Sequence, residues 1–151
     1  MFRHVYPFLR IAILVSAIAT PAIAADATPP AAMPLTAPGE AGFIAKVQSA
    51  VAKKDEAWLA GHTNFPMFWN KDAKAIKIKT RDQFAERFEN LLTPEFQSAI
   101  AGQDPAKAFS NWQGTMIGTG GRNIWFRKLG EDYRIITIND DSRVDPNAKP
   151  M

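Results

Sequence analysis

The amino-acid sequence predicts an α+β domain, with helices packed on a curved antiparallel sheet in the order α-β-β-α-α-β-β-β. Three observations predict it. An apolar stripe of helical period runs through residues 39–61. Two capped helix starts lie close together between residues 80 and 102. Aromatic and β-branched segments separated by glycine turns then fill residues 112–139. Helices and strands segregated along a chain in this way pack as layers around one core.

The first stripe is Phe43, Ile44, Val47, Val51 and Trp58, interrupted by Lys53-Lys54-Asp55-Glu56 and stopped at Gly61. FPMFWN (65–70) and AKAIKIKT (73–80) read as strands about a turn at Lys71-Asp72. In the second strand Ala75, Lys77 and Lys79 alternate with Ile76 and Ile78, giving one wet face and one dry face. Thr80 and Gln83 form a capping box that satisfies free N–H groups at a helix start. Phe84, Ala85, Phe88, Leu91 and Leu92 fall on one face of that helix. Thr93-Pro94 opens the next, since proline loses nothing where the N–H is unpaired anyway. Phe96 and Ile100 are its buried pair and Gly102 its end, and Asp104-Pro105 starts a short turn to Phe109.

The last three strands are read at 112–118, 122–129 and 133–139, joined by Thr119-Gly120-Gly121 and Gly130-Glu131-Asp132. The glycines of NWQGTMIGTGGRNIWF (111–126) do not make a phosphate loop. Such a loop feeds a helix N-terminus, whereas Arg122-Asn123-Ile124-Trp125-Phe126 continues as a strand. Gly120-Gly121 is therefore a hairpin turn, and Gly114 and Gly118 imply a bulge, a bend or close approach of another group.

The ends give an address. Arg3, His4 and Arg10 precede or flank the apolar run IAILVSAIA (11–19), and Ala22 and Ala24 stand where a signal peptidase needs small residues. Residues 1–24 are expected to be a signal peptide, too short in its apolar run to span a bilayer. The mature chain is expected in the periplasm or outside the cell, without stable membrane insertion. Residues 25–38 read as a Pro-rich flexible leader, 39–140 as a single domain and 141–151 as a polar tail.

Composition excludes several functions. The formal net charge is +3, and two of those charges leave with Arg3 and Arg10, so the basic balance gives no ground for nucleic-acid binding, which needs a dense basic patch, and no nucleic-acid partner is expected. With no cysteine there are no disulfides, thiolate metal sites or cysteine nucleophiles. Ten Phe and four Trp supply the core instead.

The order of elements resembles the nuclear-transport-factor-two-like superfamily, also called cystatin-like. Phe65-Pro66, Asn111-Trp112-Gln113-Gly114, Met116-Ile117-Gly118 and Ile124-Trp125-Phe126 resemble small secreted bacterial proteins of that fold without an established role. The likeness covers about residues 58–139. It implies a cone of helices around a curved sheet and a choice between small cofactor-free enzymes and non-catalytic binding or dimerising modules. Enzymes of the superfamily use a tyrosine, aspartate or histidine inside the cone, which draws attention to Tyr133, Asp140 and His62.

His62 is the one histidine after the signal, so it is the leading proton-transfer candidate, against a plainer reading in which it meets the last helix carbonyls. A cofactor-free isomerase or hydrolase would use His62 or Tyr133. Trp69, Trp112 and Trp125 with Gln113 are candidate ligand-binding residues, set against a filled aromatic core. Lys71, Lys74, Lys77 and Lys79 are a candidate partner-binding stripe for an inhibitor or immunity protein, set against charges that keep an edge strand unpaired. No metal site and no cofactor is expected. The leading expectation is an exported, non-enzymatic module that binds a protein or a small ligand.

One pattern points to where. Trp125 adjoins Phe126, and Ile135-Ile136 is followed by Ile138, so both faces of the final sheet carry large apolar side chains. The second face is expected to be covered by a partner copy in a homodimer, or by the chain's own ends.

Overall fold

The computed structural model describes residues 38–143. The expected signal peptide (1–24), most of the expected Pro-rich leader and the tail beyond Arg143 lie outside the described residues. The described chain is α+β, with four α-helices, a short 3-10 turn and one six-stranded mixed sheet.

Helix α1 spans Pro38–Lys53 and buries Phe43, Ile44, Val47, Ala50 and Val51. The sequence implied one helix to Gly61, but the chain breaks at Lys54, whose φ is 52°. Asp55 causes the restart. Its carboxylate accepts the Trp58 N–H at 3.0 Å and caps α2, Glu56–Gly61. Gln48 of α1 donates to the carbonyls of Ile100 (2.9 Å) and Gln103 (2.7 Å), tying α1 to the end of α4 and the residues just beyond it.

Strands β1 (Thr63–Lys71) and β2 (Lys74–Ile78) form a hairpin whose last pair is Lys71 with Lys74. The turn is therefore Asp72-Ala73, one residue later than the sequence implied, and both turn residues have positive φ. Helix α3 (Arg81–Leu91) starts at Thr80, whose hydroxyl accepts the Gln83 N–H, while the Gln83 amide accepts the Lys79 N–H. Helix α4 (Pro94–Ala101) starts at Thr93 and ends at Gly102, and Pro105–Lys107 make the 3-10 turn.

The remaining chain gives four strands, not three: β3 (Phe109–Asn111), β4 (Gly114–Thr119), β5 (Arg122–Leu129) and β6 (Asp132–Asp140). Trp112 is not in a strand. Asn111 Oδ1 accepts the Gln113 N–H at 2.8 Å, and this local turn places Trp112-Gln113 at the tip of the β3–β4 hairpin. Gly118 has φ 113°, and a Cβ there would run into the Arg122 carbonyl and Ile100 of α4.

The strand order is β2-β1-β6-β5-β4-β3. The sheet is not antiparallel throughout, because β1 and β6 run parallel. That pairing joins segments 69 residues apart, for example Asn70 with Asn139, and no local pattern announces it. One face of the sheet meets the helices. Phe84, Phe96, Phe126, Met67, Ile78 and Leu91 are fully buried there, and Phe43 of α1 meets the Phe126 ring at 4.8 Å.

Candidate functional site

The other face of the sheet carries a row of side chains that crosses all six strands. Register sets Phe109 beside Met116, Met116 beside Trp125, Trp125 beside Thr137, Thr137 beside Phe68 and Phe68 beside Lys77. The outermost aromatic residues of the row are open to solvent, with Phe109 51% and Phe68 46% exposed. Trp125 is half-buried and meets the Phe109 ring at 6.2 Å, nearly perpendicular. Lys77 Nζ lies 6.0 Å from the Phe68 ring.

A bulge shapes the middle. Trp125 pairs with Thr137 but Phe126 pairs with Ile135, so Ile136 is an extra residue in β6. Ile135 and Ile138 are consequently both buried, while Ile136 and Thr137 are only partly so. Simple alternation would have put Ile136 on the same face as Ile138.

Beside the apolar row runs a ladder of amides. Asn123 pairs with Asn139, and Asn139 with Asn70. Asn70 Nδ2 donates to Asn139 Oδ1 at 2.7 Å, and Asn139 Nδ2 donates to Asn123 Oδ1 at 2.7 Å. Asn123 Nδ2 closes the run on the Gly120 carbonyl at 3.0 Å. Two shallow grooves flank the ladder and share Asn70 and Asn139, each of about 300 Å³. One is bounded by Trp125, Ile136, Thr137 and Gln113. The other lies over the Gly120-Gly121 turn and reaches Asp141.

Of the tryptophans and glutamine singled out from sequence, only Trp125 and Gln113 share a groove. Trp69 lies on the helix-covered face, 4% exposed, its Nε1–H buried without an acceptor. Trp112 stands 89% exposed on its turn. The residues that the sequence reading missed are Asn70, Asn123 and Asn139. The available signal was asparagine, a residue depleted in strands, recurring beside a core residue in three of them.

His62 and Tyr133 do come together, in a cleft of about 250 Å³ that also includes Lys46, Asp132 and Arg134. His62 caps α2. Its backbone N–H reaches the carbonyls of Trp58 and Leu59, and its Nδ1 lies 2.8 Å from the Trp58 carbonyl. A carbonyl oxygen only accepts, so Nδ1 is the donor in that contact. The imidazole also stacks on Trp58, centroids 3.9 Å apart and planes 18° apart. Tyr133 packs against Phe43 and Phe126. Arg134 is committed to the Gly61 carbonyl at 2.6 Å and to Asp132 at 3.1 Å.

Asp140 is the buried carboxylate, 4% exposed, at the end of β6. Lys71 Nζ donates to it at 3.0 Å, and Arg122 Nε lies 3.3 Å from its other oxygen without a well-aimed hydrogen bond. Lys71 is thus tied to a structural pair and also lies 5.3 Å from the Trp69 ring. Lys71 and Lys74 face each other on the parity of Trp69 and Ile76, whereas Lys77 is on the outer row. Lys79 lies past the end of β2. The four lysines do not form one surface.

Among the described residues no three His, Cys, Asp or Glu side chains gather as a metal-binding group, and no helix is long and apolar enough to cross a membrane. No family model, curated protein or solved structure matches this chain.

Proposed function

We propose that this chain is an exported, non-enzymatic binding module of the cone-shaped nuclear-transport-factor-two-like kind, and that its working surface is the outer face of the sheet. One observation carries the reading. The helix-covered side is filled by fully buried phenylalanines, while the outer side carries Phe109, Met116, Trp125 and Phe68 in one row that no other described element covers. A contiguous exposed apolar patch of this sort is where soluble proteins meet partners or ligands. A second copy of the chain is the competing occupant of the same face.

The enzymatic reading keeps one specific support, that His62 and Tyr133 line a common cleft. Against it, one ring nitrogen of His62 is spent on Trp58 and the ring is stacked, which suits a helix cap. The inhibitor reading is weakened by the division of its lysines between two faces.

The test is capture from a cell-envelope extract with wild-type, Trp125→Ala and His62→Ala chains as bait, followed by mass spectrometry of bound proteins and small molecules. Bound material should be lost with Trp125→Ala and kept with His62→Ala. The reverse pattern would move the function to the His62 cleft.

A further inference from the structure

The lining of the outer grooves specifies more than a generic contact surface. Around the first groove stand one indole, the amides of Asn70, Asn139 and Gln113, the hydroxyl of Thr137 and the Ile136 side chain. Among the described residues no ionisable side chain lines it. An anion would find no cation there, and a cation no carboxylate. A wholly apolar ligand would cover amide groups without pairing them, at the full cost of their desolvation. The ligand that fits is neutral, with one apolar face and many hydroxyls.

The ladder supplies the matching hydrogen bonds. Each asparagine has two N–H donors and a carbonyl with two lone pairs. The ladder uses one N–H of each, and one lone pair on Asn139 and on Asn123. Among the described residues every rung keeps a second N–H, and Asn70 Oδ1 is the open acceptor end. Because the bonds all run in one direction they polarise one another, which sharpens that end as an acceptor. The second groove lies across the ladder, over Gly120-Gly121, where the backbone without side chains permits close approach. Its one ionised side chain, Asp141, is already paired with Arg143 at 2.6 Å.

We infer that the outer face binds a neutral oligosaccharide. One pyranose ring lies with its C–H face on Trp125, its neighbour lies over the Gly120-Gly121 turn, and the Asn123–Asn139–Asn70 ladder hydrogen-bonds both. Phe109 braces the indole, and Gln113 closes the rim beside it. The inference rests on the outer face being the working surface and names what that surface takes.

The experiment is titration of the ¹⁵N-labelled exported chain with four neutral tetrasaccharides: chitotetraose, cellotetraose, maltotetraose and xylotetraose. At least one should shift the Trp125 indole signal and the side-chain amide signals of Asn70, Asn123 and Asn139, to saturation. Trp125→Ala should weaken that binding by at least about tenfold, the loss that follows removal of an aromatic stacking platform. Asn139→Ala should weaken it comparably, and Trp58→Phe, in the indole that stacks on His62, should leave it within about twofold. Spectral dispersion of each variant reports folding independently. The inference is overturned if none of the four shifts these signals at about 10 mM, the weak end of measurable affinity. It is also overturned if binding survives Trp125→Ala or the shifts gather around His62. Should the sugars fail while sedimentation shows a dimer that Trp125→Ala dissociates, the ligand class falls and the outer-face reading stands.

Discussion

Trp125 and Phe126 are neighbours in β5 and lie on opposite sides of the sheet. Phe126 is fully buried against Phe43 and Tyr133, and Trp125 is half-buried beside Phe109 on the face that none of the described helices covers. Strand geometry alone separates them, because successive side chains alternate. The same pair of residues therefore separates the core from the proposed binding face. Phe126→Ala should cost about 3–5 kcal/mol, the range for truncating a core phenylalanine. Trp125→Ala should cost about 1 kcal/mol or less, as a surface change does. Urea denaturation checks both, and equal costs would mean that the outer face is covered by the chain itself.

Gly118 and Gly61 give a second contrast. At Gly118 the backbone is at φ 113° and a Cβ would meet the Arg122 carbonyl and Ile100. Gly118→Ala should lose about 2 kcal/mol or more, from backbone strain and the clash together. At Gly61 nothing lies within 4 Å of the added atom and the residue ends α2. Gly61→Ala should be neutral or stabilise by up to about 0.5 kcal/mol. Thermal melts of the two variants should move apart accordingly.

The Asp140 pair is structural. Asp140→Asn removes the buried charge and leaves two partly exposed cations, so it should cost about 1–2 kcal/mol, the loss of a charged hydrogen bond. Lys71→Met leaves the buried carboxylate with only the poorly aimed Arg122, so it should cost at least as much. A cost for Lys71→Met well below that for Asp140→Asn in urea denaturation would contradict this account.

The start of the tail is held by two carboxylates. Asp72 accepts the Ser142 hydroxyl at 2.8 Å and its N–H at 3.1 Å, which hold its pKa below the ordinary value. Arg143 holds Asp141 at about 2, through its side chain first and its backbone N–H second. Both folded pKa values lie below 3.8, so whatever these contacts contribute is fully present above 3.8 and is lost as pH falls toward about 2. Carboxyl ¹³C titration should find the Asp141 midpoint near 2, and Arg143→Ala should return it toward 3.8. A midpoint near 3.8 in the wild-type chain would show that the contact is not held.

What was legible in the sequence was what local chemistry decides. The capped starts at Thr80 and Thr93, the end at Gly102, the Gly120-Gly121 turn and the dry face of Ile76 and Ile78 all follow from neighbours within a few residues. The break at Lys54-Asp55 was legible too, since an aspartate three residues before Trp58 is a cap, but the charged run masked it. The parallel pairing of β1 with β6 and the bulge at Ile136 were not legible, because each depends on which strand lies alongside. The amide ladder exists only once that pairing is made, so its three asparagines looked like unrelated polar residues. Trp125 was visible because breaking alternation is a local signal. Trp69 and Trp112 were grouped with it on residue type alone, and register separated them.

The central claim is that the outer sheet face, and not the His62 cleft, is where this chain does its work. Hydroxyl-radical footprinting of the chain in a cell-envelope extract, compared with the purified chain, reads both surfaces in one measurement. The account predicts protection of Phe68, Met116 and Trp125 in the extract, with Trp58, His62 and Tyr133 labelled equally in both samples. Protection at Trp58, His62 and Tyr133 with an unchanged outer row would contradict it.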